Sequence, residues 1–513
     1  MAVVNDTGRQ KSVGDPTSEY LSIKDIWDRN RAVCSGERYT KDYDSYLDVI
    51  NYRNLLIPFS PSMSPDQYKF YKAEAELPGI VAQFIKMLIG GLLRKQPVLE
   101  LPESVPDEAY NWILEEFSTD GAPMTAFLDE ILWEEMQTSH AWIYVSYPKI
   151  DTEDLSREER LAIKPFPTIW QADTVINVRY KEENGGNKLQ HVITRGFVDD
   201  YEEGNFHPVS KETVWVHYLD NSGYYTVDMY QLESEDSKTL LNGRQINTPE
   251  MSSPQFIFKE RIENIKWSGE RLNFIPAWPA NGTFSMKEPV ITPLVDKEVS
   301  LYNKMSRRNH LLYGASTYTP VIMSDMTDEE FHDIVSAGLG SWLKLRSDDD
   351  AKVLDTPTAA LADMDRAIAG GIEEMAKLGV RMMSPETAQS GVALELRNAA
   401  QTAQLGTLNN KISSVMRQVI ATMIQWRYGI EVSISDVSFT LSADFNPVPI
   451  GADWLRLATE WYREGLIPRT IWLNILKQND MLPSEYDDED GVQEINSDEL
   501  ILTDTGSNVN YEK

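Results

Sequence analysis

The residue types most able to do chemistry in this chain are present but poorly grouped. Six histidines, His140, His191, His207, His217, His310 and His332, include no pair at the spacing that sets two imidazoles on one helical face for a metal. Asp348-Asp349-Asp350 could meet a divalent cation. A cation draws its oxygens from several directions, however, and a solvated turn between strands accounts for the run more simply. The acids of Asp325-Met326-Thr327-Asp328-Glu329-Glu330 suit the positive end of the helix they precede, with Thr327 and Glu330 as a capping box. Gly338-Leu339-Gly340 lacks the lysine and hydroxyl residue of a phosphate loop, and no Gly-x-Ser-x-Gly elbow occurs. Trp133 with Glu134-Glu135, and Trp142 with Tyr144 and Tyr147, have the composition of a sugar cleft worked by two carboxylates. With 80 acidic residues such pairs arise everywhere, nothing selects one, and the aromatics serve as well in a core or on a sheet face. Cys34 is the only cysteine, which excludes an intrachain disulfide and a thiolate zinc site. The reading is of a non-enzyme with no catalytic residue, metal or cofactor; the enzymatic alternative is an acidic cytoplasmic hydrolase using a carboxylate pair.

The elements that must position these residues follow from periodicity. After a polar arm at 1–18, helical patterns run from Ser22 to Val33, Pro65 to Leu77, Ile80 to Leu93, Asp107 to Phe117 and Met124 to Met136. The apolar run Gly79 to Leu93 holds Gln83 and Lys86 and is too short to span a bilayer, so it reads as a buried helix. From Ala141 the texture turns to strands: Ala141 to Tyr147, Thr174 to Tyr180, Leu189 to Phe197, Thr213 to Leu219 and Tyr224 to Leu232. Asn184-Gly185-Gly186 and Asn221-Ser222-Gly223 supply hairpin turns. Glu233 to Ser253 reads as a long polar hairpin or loop, with short strands at Phe256 to Phe258 and Phe274 to Trp278. The result is an α+β chain with a largely antiparallel sheet beside helices.

Then comes an unusual order. A helix with Leu294, Leu301, Met305 and Leu312 on one face starts at Pro293 and gives way to a small insert. In that insert Pro320 to Met323, Trp342 to Arg346 and Lys352 to Leu354 are strands, and Asp328 to Val335 is a helix. Thr356-Pro357 announces a second helix with Leu361, Met364, Ile368, Ile372, Met375, Leu378 and Met382 at helical spacing. Gly370-Gly371 inside it predicts a kink or a close helix contact. Ser384 to Gly391 is a loop, unless Ser384-Pro385 caps the next helix early. From Gly391 to Tyr428 no proline intervenes, so one helix of roughly 55 Å fits, with Leu405, Leu408, Ile412, Val415, Val419 and Met423 along one side. Phe439 to Phe445 is a late strand, Asp453 to Glu464 and Pro468 to Asn479 are helices, and an acidic tail follows.

Charge narrows the partners. With 48 basic against 80 acidic residues the net charge is -32, which repels nucleic acid and anionic membranes over most of the surface yet is compatible with DNA sliding through a channel. Met1 to Pro16 has no apolar signal-peptide core, so a reducing cytoplasmic site of synthesis is the default expectation.

The order of helices, antiparallel sheet, helix, αβ insert, second helix, loop and long helix resembles the portal protein of tailed bacteriophages over roughly residues 40 to 480. Leu88-Ile89-Gly90-Gly91-Leu92-Leu93-Arg94-Lys95-Gln96-Pro97, Ala141-Trp142-Ile143-Tyr144-Val145-Ser146-Tyr147-Pro148 and Ile275-Pro276-Ala277-Trp278 are similar to a portal-related family catalogued as a domain of unknown function. The resemblance implies a homo-oligomeric ring, commonly of twelve, at one vertex of the virion capsid, its subunits made in the cytoplasm of a bacterial host. Double-stranded DNA would pass through it in packaging and ejection; terminase, a head-to-tail adaptor and the major capsid or scaffolding protein would be its partners, and no membrane is involved. It also implies an α/β wing at 19–292, stem helices at 293–313 and 357–382, and a clip at 314–356. A tunnel loop at 383–391, a long wing helix at 392–429, a wing strand at 430–452, short crown helices at 453–482 and a tail at 483–513 complete it.

By position the tunnel loop comprises Ser384, Pro385, Glu386, Thr387, Ala388, Gln389 and Ser390. With no Lys or Arg, it acts by sterics or hydrogen bonding rather than by gripping phosphate. Lys304, Arg307 and Arg308 could face the channel, or the two arginines could pair with acids of a neighbouring stem. Lys344, Arg346, Asp348, Asp349 and Asp350 fall in the clip and would meet adaptor or terminase. A head or baseplate component that never touches DNA is the remaining alternative.

Overall fold

Thr17 holds an extended conformation and accepts the Tyr20 N–H at 3.2 Å on its side-chain oxygen, which starts α1 (Ser18–Ser35) a turn earlier than the apolar pattern predicts. The computed structural model describes residues 12–36, 55–146, 163–183, 186–200, 208–232, 256–263, 272–316, 319–323, 327, 350–354, 359–377, 391–441, 452–464 and several positions between 466 and 476. Ser64 and Gln67 cap α2 (Pro65–Glu74) reciprocally, and Pro65 occupies its first turn. Then follow α3 (Ile80–Leu92), β1 (Val98–Glu100), α4 (Glu108–Glu115) and α5 (Met124–Thr138).

Two sheets form the strand-rich part. In the smaller, β2 (Trp142–Ser146) lies between β3 (Phe166–Trp170) and β9 (Ala277–Pro279), antiparallel to both. The larger is an antiparallel meander of β4 (Val175–Glu183), β5 (Gly186–Asp200), β6 (Val209–Leu219), β7 (Tyr225–Leu232) and β8 (Phe256–Glu263), in that spatial order. Tyr20, Ile23 and Trp27 of α1 pack onto one face of this meander, against Ile176, Ile193, Val214 and Val216. Both turn-defined hairpins are present, with β4, β5 and β6 longer than the alternation suggests. β1 and β3, with three and five residues, are not anticipated from sequence.

The remaining elements are α6 (Thr292–Ser316), the antiparallel pair β10 (Thr319–Met323) and β11 (Asp350–Leu354), α7 (Ala359–Lys377), α8 (Gly391–Tyr428), β12 (Ser438–Thr440) and α9 (Ala452–Arg463). β12 pairs with β1, Leu99 opposite Phe439, so the chain after α8 returns to the helical part. The expected clip helix Asp328 to Val335, the strand Trp342 to Arg346, the loop 383–390, most of the last helix and the tail lie outside the described residues.

The main core gathers Val81, Ile85 and Ile89 of α3, Leu128, Ile131 and Leu132 of α5, Trp142 and Ile143 of β2, and α8. Here the expectation of one apolar side on α8 needs correction. Every residue from Val419 to Ile424 is buried, so that stretch is enclosed all round, and the large apolar side chains Ile412, Val415, Met416, Val419, Ile420, Met423, Ile424 and Trp426 are all buried. Each contributes about 1.5–3 kcal/mol on burial, enough for packing rather than propensity to fix this segment.

Candidate functional site

α6 and α7 form an antiparallel pair, and their alignment can be read from side chains. Lys297 pairs with Glu374 at 2.5 Å and Arg308 with Asp365 at 2.8 Å, so positions rise along one helix as they fall along the other. Between these pairs Leu301 lies against Gly371, where an added Cβ would meet its Cδ1 at 3.5 Å. Of the two glycines, Gly371 marks the close contact, whereas Gly370 has nothing within 4 Å of a Cβ. α7 is one continuous helix through both.

The base of α6 is tied into the body by buried polar side chains. Glu298, fully buried, accepts the Ile80 N–H at 2.9 Å and the Val81 N–H at 2.7 Å, closing the start of α3. Gly79 there is left-handed and has no capping side chain, so a distant carboxylate serves as the cap. Burial raises the Glu298 carboxyl above its ordinary value, and the backbone donors pull against that. Asn303 accepts the Ile57 N–H at 2.8 Å and donates to the Leu55 carbonyl at 2.9 Å, holding that strand-like segment as a ladder partner would. Asn30 of α1 donates to the Thr292 hydroxyl at 3.2 Å. Farther along, His310 lies against Phe59 and Tyr71, with Nδ1 3.6 Å from Glu74. Burial pushes the Tyr71 phenol up to about 12.

The three stem cations predicted from sequence have different settings. Arg308 meets an acid of the chain's own second helix, Asp365, and Arg307 is half-buried beside Tyr71. Lys304 is exposed and makes no ion pair with a described residue. Asp350 opens β11 opposite Met323. Lys344, Arg346, Asp348, Asp349 and Ser384 to Ser390 lie outside the described residues. Sequence reasoning missed Glu298, Asn303 and Asp365. The uncapped Gly79 is the signal that could have pointed to Glu298.

The carboxylate pair Glu134-Glu135 is occupied structurally. Glu134 Oε1 accepts the Ala172 N–H at 3.0 Å and an Arg31 guanidinium N–H; Glu135 Oε2 accepts the Ala141 N–H at 3.1 Å. Both are buried, with Trp142 donating to His140 Nε2 at 3.2 Å and Trp27 stacked on the same imidazole. His217 belongs to another interior chain. Tyr225 donates to Tyr144 at 3.1 Å, so it accepts from His217 Nδ1 at 2.8 Å, leaving Nε2 to accept from Thr194 at 3.2 Å. Among the described residues no group of three or more His, Cys, Asp or Glu could hold a metal, and no helix is long and apolar enough to cross a membrane.

A family profile described as "Domain of unknown function (DUF4055)" matches residues 291–427, an interval that begins just before α6 and ends within the last turn of α8. No curated protein matches the chain. Among solved structures the chain is similar, at 9% identity and TM-score 0.34, to one described as the neck of a native GTA particle computed with C12 symmetry, covering 81% of this chain and 95% of that one. A second, from the virion of a native gene transfer agent particle, is similar at 11% identity and TM-score 0.35, covering 86% of this chain and 94% of that one.

Proposed function

We propose that the chain is the subunit of a portal-like ring at one capsid vertex of a tailed-phage or phage-derived particle, a conduit for double-stranded DNA with no chemistry of its own. The observation that carries this reading is the α6–α7 pair. α6 is fixed to the body by Glu298, Asn303 and Thr292, while α7 packs on α6 and leaves its opposite face bare. Ile372 is 47% exposed, and Leu312 and Tyr313 near the end of α6 are 43% and 58% exposed. Apolar groups on such a two-helix projection gain cover when copies stand side by side. The coincidence of the family match with α6 through α8 supports treating these elements as one module.

On this reading α6 and α7 are the stem, and the segment between them, with Lys344, Arg346 and Asp348 to Asp350, is the clip that meets terminase and then the adaptor. Residues 384–390 narrow the channel by bulk and by Thr387, Gln389 and Ser390 rather than by charge. With Arg308 neutralised by Asp365, phosphate contacts in the stem are sparse, as sliding requires. Negative-stain imaging with a solution mass measurement tests the core of the proposal. Closed rings with a central hole are expected at micromolar concentration; a chain that stays monomeric in every buffer defeats it. Deleting residues 384–390 tests the loop separately. DNA retention or packaging should fall, and normal packaging with full retention removes the loop from the channel.

A further inference from the structure

Residues 55–77 lie over α6 as a strap with a small core of its own. Leu56, Tyr71 and Ala75 are buried against Tyr302 of α6, with Phe59, Met63, Tyr68 and Leu77 packed around them, and this cluster is separate from the main core and from the one beneath α1. Leu55, where the strap begins, packs on the main core instead. The helix of the strap is locally made: Ser64 and Gln67 cap each other and Pro65 holds the first turn, so α2 needs no distant residue to begin. Its outer side leaves Phe70 73% and Ile57 56% exposed, so the packing that seats it comes from α6.

Three polar side chains of α6 fasten this strap and its end. Glu298 accepts the Ile80 and Val81 N–H groups, Asn303 bonds to both Ile57 and Leu55, and His310 lies against Phe59 and Tyr71 beside Glu74. From Glu298 to His310 they cover about 18 Å of helix. Tyr302, Ser306 and His310 recur every four residues and share a ridge turned to the strap, whereas Leu301, near Gly371, and Arg308, paired with Asp365, turn to α7. The stem helix is therefore splinted on two sides. At the outer end the fit is loose: His310 Nδ1 and Glu74 Oε2, 3.6 Å apart, are buried and neither makes a hydrogen bond with a described residue. Unpaired buried polar atoms cost free energy, and opening this end would relieve it. At the other end Gly79 has φ 69° and nothing within 4 Å of an added Cβ, the freedom a pivot needs.

We propose that residues 55–77 are a hinged splint: seated, the strap stiffens the outer half of α6, and lifted about Gly79 it frees the ridge from Tyr302 to His310 while α3, α5 and α8 stay packed. A segment with a small separate core and polar fasteners opens at a lower free energy than the body it rests on. The strap, which the resemblance assigns to the wing, thereby acts on the stem. This is a property of the single chain and holds whether or not copies close into a ring.

Amide hydrogen exchange of the full chain tests it. In the parent, residues 55–77 should exchange as one unit, at least about tenfold faster than α3, α5 and the buried half of α8. Asn303→Ala removes an acceptor and a donor from the seat, so exchange across 55–77 should rise about tenfold further, with α3 and α8 within about twofold of the parent. Ser64→Ala is a milder variant, remote from α6, that loosens only the cap of α2. If the strap is one body, it should speed exchange at the Ile57 amide about fivefold together with that of α2. A parent strap that exchanges at the rate of α3 overturns the proposal. So does a Ser64→Ala effect confined to the first turn of α2, because Ile57 and α2 would then open separately.

Discussion

Glu135 and His140, neighbours in sequence and both buried, pull stability in opposite directions with pH. Burial pushes the Glu135 carboxyl up to about 8, against an ordinary value of 4.5. The folded chain therefore keeps a proton that the unfolded chain has lost, and the resulting stabilisation is complete below the unfolded value and fades as pH rises toward 8. Burial pushes His140 down to about 4 and His217 down to about 3, from 6.5. Their contribution is complete above 6.5 and is lost as pH falls through those lower values. Between 6.5 and 8 these two histidines add no slope, so Glu135→Gln should gain on the parent by up to about 1.4 kcal/mol per pH unit there, read as the difference in denaturation free energy. A difference that stays flat from pH 6.5 to 8 would mean the carboxylate is ionised in the fold. Glu298→Ala should cost about 2–4 kcal/mol at neutral pH, because two buried N–H groups lose their acceptor at once; urea titration against Glu298→Gln checks this, with the amide retaining part of the stability. Residue types alone gave Glu134-Glu135 the look of a catalytic pair. What the sequence withholds is that their acceptor capacity goes to Ala172, Ala141 and Arg31, contacts made only after distant segments meet.

Among elements, the helices were the more legible. α3 and α8 begin where apolar spacing and the glycines at 79 and 391 indicate, and α8 ends at Tyr428 as expected. β1 and β3 are harder, because strands of three to five residues carry almost no periodicity and exist through their partners, whereas the late strand expected at Phe439 to Phe445 overlaps β12 at Ser438–Thr440. The α7 seam was visible as a stripe, but the role of its paired glycines needed geometry. Gly371→Leu should force α7 away from Leu301 and cost about 1–3 kcal/mol, with faster amide exchange across 359–377 and little change in α8. Equal acceleration in both helices would place Gly371 outside the seam.

At the scale of the molecule, long-range repulsion and local attraction compete. In the proposed ring every subunit would carry a net charge of -32, whereas a single exposed lysine–carboxylate contact is worth at most about 1 kcal/mol. Added salt screens the first over a Debye length of about 8 Å at 0.15 M and weakens the second only modestly, so rings should become more abundant between roughly 0.01 and 0.15 M NaCl, measured by light scattering. A ring that dissolves over that interval would show that local ion pairs dominate. α8 adds a mechanical consequence. Its 38 residues make a rod of about 57 Å, and every buried residue described on it lies between Asn409 and Trp426. Asn409 and Ser413 also fasten that half to Leu441, just past β12. A stiff helix passes force along its axis, so load that reaches α8 ahead of Asn409 is delivered to this buried half and to the β1–β12 seam beside it.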